Sequence, residues 1–290
     1  MAHTILEVNE LNKKYAKFSL KDVSFSLEEG TIYGFIGRNG AGKTTTLKCI
    51  YNLVQPDSGD ILYEGEDFVK QEIKAKNEIG LLFGGADFYP NQRAKTIAKV
   101  TSTFYKTWDH ELYQKLLVFF DLNEEKKIKE FSNGMKVKFG LTLALSHGAK
   151  VLLLDEPTSG LDPVSRDEVL DCFIKICKSQ KTTILFSTHV ISDLDKCADK
   201  IIYIKNGEIF QNSSVEEFKS TYLHIEGRAE QLDRFDKNKI GRLFIHQKKF
   251  SGLIERKDKE YFSEFSLQEP TLEELMLFIE RGNGNEETPF

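Results

Sequence analysis

Long apolar runs are missing from this chain. Nowhere in its 290 residues does one approach the roughly 18 consecutive apolar residues that a membrane-crossing helix needs. The first stretch, Met1 to Glu10, carries polar residues where a secretion signal would be apolar. The chain is therefore expected to stay in the cytosol. An excess of basic charge is missing too: 40 Lys and Arg against 45 Asp and Glu leave a formal charge of −5, so no global field draws the protein to nucleic acid. Cysteine is scarce. Cys49, Cys172, Cys177 and Cys197 form no C-x-x-C pair and have no nearby histidine partners, which excludes a zinc site and a disulfide framework and leaves buried thiols. What remains, 40% hydrophobic and 29% charged residues, describes an ordinary globular intracellular enzyme. The length accommodates one large domain with a real core plus a smaller appendage.

Alternation at Val23, Phe25 and Leu27 predicts a half-buried strand, and Glu28-Glu29-Gly30 turns the chain into a second strand, Thr31 to Ile36. A helix begins at Lys43, and turn residues from Pro56 to Gly59 precede a strand at Asp60 to Tyr63. From Ala94 to His147 the pattern is almost wholly helical: Ile97, Thr101, Phe104 and Trp108 share one face, Leu112, Leu116 and Phe119 another. The runs Val151 to Leu154, Thr183 to Phe186 and Ile201 to Ile204 are short, apolar and branched, as expected of strands buried on both faces. Between the first two lies a helix that Asp162 caps and Pro163 opens. These elements predict a mainly parallel α/β sheet, and Asn206-Gly207 closes it with a hairpin. Beyond about Ser220 the chain becomes more charged, with strand-like runs at Leu243 to Ile245 and Tyr261 to Leu267. A last helix opens on the capping box Thr271/Glu274.

The residues that carry chemistry begin at Gly37-Arg38-Asn39-Gly40-Ala41-Gly42-Lys43-Thr44, a G-x-x-x-x-G-K-T loop between a predicted strand and a predicted helix. Glycines let backbone N–H groups crowd around phosphate oxygens, the helix N-terminus adds its dipole, Lys43 neutralises charge, and Thr44 can ligate Mg2+. Thr45 continues the same turn of helix. Val151 to Glu156 then delivers two carboxylates at a strand end, where ligands bind in α/β sheets. Asp155 suits a magnesium held through its water shell, and Glu156 suits the polarisation of an attacking water.

With Phe131-Ser132-Asn133-Gly134-Met135 between these two motifs, the chain resembles the ABC ATPases. The segment is similar to the family's Leu-Ser-Gly-Gly-Gln signature, keeping Ser132 and Gly134 and departing elsewhere. The resemblance covers about residues 4 to 215. It implies a RecA-like P-loop core with an antiparallel β subdomain, an inserted helical subdomain at about 91–148, and an ATPase domain spanning 1–218. A small α+β appendage follows at 219–281, then a disordered tail at 282–290. It also implies ATP and Mg2+ as cofactors. Ser132, Asn133, Gly134 and Met135 would contact nucleotide held by a second ATPase subunit, a copy or a relative, in a head-to-tail dimer. Asp162, in the D-loop-like Pro157-Thr158-Ser159-Gly160-Leu161-Asp162, would communicate across that dimer. His189 matches the switch histidine and Tyr15 the adenine-stacking aromatic. Lys43, Glu156 and His189 are the implied catalytic set, with Thr44 and Asp155 on the metal.

Gly84 stands where the family carries its Q-loop glutamine, so either the backbone does the coupling or Asp87 or Gln92 takes over. Phe88-Tyr89-Pro90 is expected to dock a separately encoded integral membrane subunit, which would hold this chain at the cytoplasmic face of the membrane. Phe104 to Asp109, the signature variant and the charged appendage resemble bacterial ABC-2 type exporters of amphipathic or antimicrobial peptides, the phenol-soluble modulin group among them. Drugs or lipids are the alternative cargo. Relatives acting on ribosomes carry two cassettes, and those acting on DNA insert a long coiled coil. Here there is one loop, and no sustained heptads lie between Thr44 and Val151, so nucleic acid is not an expected partner.

Overall fold

The computed structural model describes residues 3–83 and 89–281. Two compact units divide the chain, residues 1–212 and 213–290. In the first, β1 (Thr4–Lys14) and β2 (Ser19–Glu28) pair antiparallel, and β2 alternates buried and exposed side chains as a half-covered strand does. The next strand, β3 (Ile32–Ile36), is buried at every position. It leads through the glycine loop into α1 (Lys43–Ile50). Strands β4 (Ser58–Tyr63) and β5 (Glu66–Asp67) complete a four-stranded antiparallel sheet in the order β2-β1-β4-β5.

Helix α2 (Glu72–Glu78) then feeds β6 (Ile79–Phe83). Three helices come next: α3 (Ala94–Ser102), α4 (His110–Phe119) and α5 (Asn133–Ser146). The chain re-enters the sheet through β7 (Val151–Asp155), α6 (Pro163–Gln180), β8 (Thr183–Ser187), α7 (Ile191–Cys197), β9 (Lys200–Lys205) and β10 (Glu208–Ser214). The six-stranded sheet runs β10-β9-β3-β8-β7-β6, and its β9/β3, β3/β8, β8/β7 and β7/β6 pairs are parallel. All side chains of β7 and β8 are buried, as a sheet covered on both faces demands. A shared core joins Leu6, Val8, Val23 and Phe25 of the antiparallel sheet to Leu47 of α1 and to Phe35, Leu153, Leu185 and Ile202 of the parallel one.

The second unit holds α8 (Val215–Ser220), β11 (Tyr222–Arg228), β12 (Gly241–His246), β13 (Lys249–Glu255), β14 (Ser266–Gln268) and α9 (Leu272–Arg281). Its strands form an antiparallel sheet in the order β12-β13-β11-β14 over a core of Ile225, Phe250, Phe262 and Phe265. The division falls ahead of the boundary expected at 218 because α8 packs on β11. The expected capping box of α9 is formed, with Thr271 N–H donating to Glu274 Oε2 (2.8 Å) and Glu274 N–H to Thr271 Oγ1 (3.2 Å). The expected strand from Tyr261 to Leu267 is confined to residues 266–268. Phe262 and Phe265 are both buried three residues apart, a turn-like spacing that strand alternation cannot supply.

Two helical expectations also shift. Helix α3 stops at Ser102, so Phe104 and Trp108 do not extend its face, and Phe104 is exposed. Ser102 and Thr103 hydroxyls donate to the carbonyls of Lys99 (2.8 Å) and Val100 (2.7 Å), the local competition that makes such residues poor helix formers. In α4 the buried set is Tyr113, Leu116 and Leu117 instead of the expected Leu112, Leu116 and Phe119, and Phe119 is exposed. All four cysteines are free and buried, and burial pushes the Cys172 and Cys197 thiols up to about 12. Among the described residues no helix is long and apolar enough to cross a membrane. The expected tail at 282–290 lies outside the described residues.

The β9–β10 hairpin braces the glycine loop. Asn206 and Gly207 both have positive φ (51° and 83°), and Gly207 N–H donates to the carbonyl of Ala41 inside that loop (3.1 Å). A Cβ on Gly207 would lie 1.9 Å from the Ser19 carbonyl oxygen. Gly207→Ala is expected to destabilise the fold by about 2 kcal/mol or more, because neither the backbone angle nor a backbone neighbour can relax cheaply. Chemical denaturation checks this, and an unchanged midpoint would contradict it.

Candidate functional site

Parallel strands deliver their C-terminal ends to one edge of a sheet, and there the chain concentrates its polar residues. The loop after β3 is bent through Gly37, Gly40 and Gly42, all at positive φ (152°, 82° and 121°). A Cβ on Gly37 would meet the Ile204 carbonyl oxygen at 2.3 Å, so only glycine allows β9 so close. Arg38, Asn39 and Gly40 are exposed at the crest of the loop, while Ala41, Gly42 and Lys43 are buried at its base. The first hydrogen bond of α1 is donated by Thr46 N–H to Gly42 (2.9 Å), and no side chain caps this helix. The N–H groups of Lys43, Thr44 and Thr45, ahead of that bond, therefore face the loop's concavity, where an anion satisfies them. Lys43 Nζ arches back over the loop to the carbonyls of Gly37 (2.7 Å) and Arg38 (3.3 Å).

Strand β7 brings Asp155 beside this loop. Its Oδ2 accepts from Thr44 Oγ1 (2.7 Å) and its Oδ1 from Ser187 Oγ (2.7 Å). Asp155 and Ser187 stand opposite each other in the β7/β8 register. Ser187 in turn accepts from Glu156 N–H (2.8 Å), so one buried hydroxyl fixes both acids. Glu156 has φ 50°, a left-handed conformation uncommon for a side chain of its kind. The turn aims its half-exposed carboxylate away from the sheet, and Oε1 lies 3.5 Å from His189 Nδ1. These distances bring together Lys43, Thr44, Asp155, Glu156 and His189, as expected from their motifs.

Tyr15 is 44% exposed in the turn between β1 and β2 and so is not a core tyrosine. Its N–H donates to the Phe18 carbonyl (2.7 Å), and the Phe18 ring closes on Gly42, where a Cβ would find it at 2.9 Å. The adenine-stacking candidate therefore sits on a turn that abuts the glycine loop.

Of Ser132, Asn133, Gly134 and Met135, Gly134 lies against α6. Ser132 caps α5 by accepting from Met135 N–H (3.2 Å), and both Ser132 and Asn133 are exposed. The helix starts at Asn133, directly after its Ser132 cap. Gly134 is buried against Ser165, whose Oγ a Cβ would meet at 3.1 Å. Asp162 caps α6, accepting from Val164 and Ser165 N–H (3.0 Å each). Ser165's backbone and side-chain hydrogen bonds, with Val164's, hold its carboxyl below the usual carboxylate range. Among the described residues no hydrogen bond joins Ser132–Met135 or Asp162 to the glycine loop. Each closes the N-terminus of its own helix, Ser132 that of α5 and Asp162 that of α6. Gly84, Asp87 and Phe88 lie outside the described residues. Tyr89 is exposed, and Gln92 N–H donates to its carbonyl (3.0 Å).

Two residues of the site are not visible in the sequence pattern. Ser187 carries no motif of its own, and only the register of β8 against β7 gives it away. Asp193, in α7, is buried at 1% exposure and bonded to Thr158, Arg166 and Thr188. A charged residue four positions after His189 on a short helix reads as solvated surface.

A polyphosphate is what this edge is built to hold: N–H donors at a helix start, a lysine folded over them, and a threonine hydroxyl beside a strand-end carboxylate. That architecture defines a P-loop nucleotide hydrolase. The family model for ABC transporters matches residues 20–159. The chain is 33% identical over 237 residues to the ABC transporter ATP-binding protein NatA of Bacillus subtilis, covering 80% of this chain and 94% of that one. It is 32% identical over 219 residues to the bacitracin transport ATP-binding protein BcrA of Bacillus licheniformis (74% and 72%). To the lantibiotic transport ATP-binding protein SrtF of Streptococcus pyogenes it is 33% identical over 207 residues (71% and 89%). A solved ATP-binding subunit of an ABC transporter superposes with a TM-score of 0.67 at 26% identity, over 74% of this chain and 92% of that one. The fold is shared at 21% identity with the dimeric cassette MJ0796 (TM-score 0.65, 73% and 99%). The chain belongs to the ATP-binding subunits of ABC transporters, and it is an ATPase.

Ser187→Ala would leave Glu156 N–H and one oxygen of Asp155 without their partner. Such a substitution is expected to cost about 1–3 kcal/mol of stability and to lower ATP turnover. Urea denaturation alongside an ATPase assay tests it, and a variant matching the parent in both would show that the hydroxyl holds neither acid.

Proposed function

We propose that this chain drives export of amphipathic or antimicrobial peptides, working as one of two ATPase subunits attached to a separate membrane protein. The observation that carries the hydrolytic part is the connected set Thr44–Asp155–Ser187–Glu156–His189. The loop N–H groups and Lys43 bind the phosphates, and Tyr15 offers a ring to adenine. Thr44 Oγ1 and Asp155 Oδ2, hard oxygen donors 2.7 Å apart, suit Mg2+. That ion prefers few protein ligands, with substrate phosphates and waters completing its shell. When bound, it supplies charge neutralisation across the phosphates. Glu156, turned outward by its left-handed backbone, polarises the attacking water, and His189 positions Glu156 and the terminal phosphate.

Dimerisation is supported by the exposed end of α5. Ser132 presents a helix N-terminus that the chain's own glycine loop does not use, and nucleotide carried by a second subunit would complete it. The separate membrane subunit is supported by a chain with no membrane-crossing helix among its described residues and by relatives named as ATP-binding proteins of transporters. That subunit would hold the chain at the cytoplasmic face. Peptide cargo is favoured over drugs or lipids because two of the relatives are named for bacitracin and lantibiotic transport.

Glu156→Gln is expected to reduce turnover by about 100-fold or more while retaining ATP binding, and to accumulate an ATP-bound dimer on size-exclusion chromatography. A variant that stays monomeric with ATP and turns over normally would defeat both the catalytic assignment and the dimer. In the complex reconstituted with its membrane subunit, amphipathic peptides are expected to stimulate ATP hydrolysis. Stimulation by drugs or lipids alone would remove the peptide assignment.

A further inference from the structure

We propose that Asp193 is a positioning residue for ATP hydrolysis, the single buried carboxylate that locks the Glu156 turn to the His189 loop. This role rests on the catalytic assignments of Glu156 and His189 and adds to them a part that the motifs do not assign. Asp193 lies in α7 at 1% exposure. Its Oδ2 accepts from Thr158 Oγ1 (2.6 Å) and lies 3.3 Å from Thr188 Oγ1, and its Oδ1 accepts from Arg166 Nε (2.6 Å).

Each partner belongs to a different piece of the site. Thr158 is buried two residues after Glu156, in the turn that gives Glu156 its left-handed backbone. Thr188 is buried immediately before His189, and its Oγ1 also accepts from Val190 N–H (3.0 Å), which shapes the His189 loop from the other side. Arg166 stands in the first turns of α6, four residues after Asp162. One carboxylate therefore spans the turn after β7, the loop after β8 and the start of α6. Neither Glu156 nor His189 has a packed side chain to fix it, since they are 31% and 51% exposed. Their relative placement must come from the backbone turns that carry them, and Asp193 joins those turns.

Burial of an ion is tolerated only where pairing and hydrogen bonds offset the loss of water, and Arg166 with two threonine hydroxyls supplies both for Asp193. The pairing is incomplete on the arginine side. Arg166 Nη2 is buried without a hydrogen-bond partner among the described residues. A packing residue at this place would more simply be apolar. The retained charge makes sense as a directional tie, because a carboxylate fixes the angle of each hydroxyl that reaches it.

The test uses the full chain with Thr158→Val, Thr158→Ser and Asp193→Asn, measuring kcat, KM for Mg-ATP, ATP affinity and melting temperature for each. Thr158→Val keeps the shape and removes the hydroxyl. It is expected to lower kcat by about tenfold or more, the scale of a misplaced catalytic group, with ATP affinity within about twofold of wild type. Thr158→Ser restores the hydroxyl and is expected to restore kcat. Asp193→Asn is expected to fall with Thr158→Val, and combining the two is expected to cost little more than either alone, as for groups acting as one unit. If Asp193→Asn does not fold, the valine and serine pair decides. Wild-type kcat in Thr158→Val, or equal loss in Thr158→Ser and Thr158→Val, overturns the inference. Wild-type turnover in the same series separates the two readings: if the unaltered chain does not hydrolyse Mg-ATP, the catalytic reading itself falls and this inference with it.

Discussion

The bond network of one carboxylate, Asp155, is what the rest of the molecule is arranged around. It sits at the end of a fully buried strand, with one oxygen taken by Thr44 from the glycine loop and the other by Ser187 from the neighbouring strand. Those two bonds require β3, β8 and β7 to lie side by side, parallel and in a single register. A slip of one residue would turn Ser187 to the opposite face and leave the acid buried without its donor. The mostly apolar composition of these strands makes sense in that light. Their side chains supply the burial that holds the register, while Asp155 and Ser187 stand at the edge where β7 and β8 end.

Around this centre the support is unusually dependent on backbone groups. The hairpin after β9 lends an N–H to the glycine loop, and β9 itself approaches Gly37 too closely for any side chain there. Glu156 is held in a left-handed turn by Ser187 beneath it and by the Ser159 N–H, which donates to its carbonyl (3.1 Å). Local strain of this kind persists only where surrounding bonds over-determine it. The second buried acid, Asp193, bonds Thr158 and Thr188, next to the turns of Glu156 and His189. The two acids divide the work: one bonds Thr44 of the glycine loop, the other joins the turns that carry Glu156 and His189.

The start of α5 shows a different economy. Ser132 and Asp162 cap successive helices, and Gly134 brings those helices into contact through Ser165. Both caps are exposed, so their side chains do their structural task at the helix end and remain accessible. A residue that serves as an ordinary cap in one subunit can serve as an anion contact for another without any change of conformation.

Local chemistry made much of this legible in the sequence. Glycine spacing, a lysine and a threonine at a helix start, and two acids after an apolar run each carry their physical reason within a few residues. The sequence therefore determined the parallel core, the nucleotide-binding loop, the acid pair and the capping residues. The α3 end and the strand expected at Tyr261 differ from the structure because apolar spacing alone does not register hydroxyls competing for backbone carbonyls, or a turn that buries both its aromatic residues. Ser187 and Asp193 were invisible for a deeper reason. Their importance lies in partners that are distant in sequence: Ser187 is 32 residues from Asp155 and Asp193 is 35 from Thr158. Only the tertiary structure decided those pairings, because strand register and burial bring a serine without a motif and an aspartate that reads as solvated surface into contact with those partners.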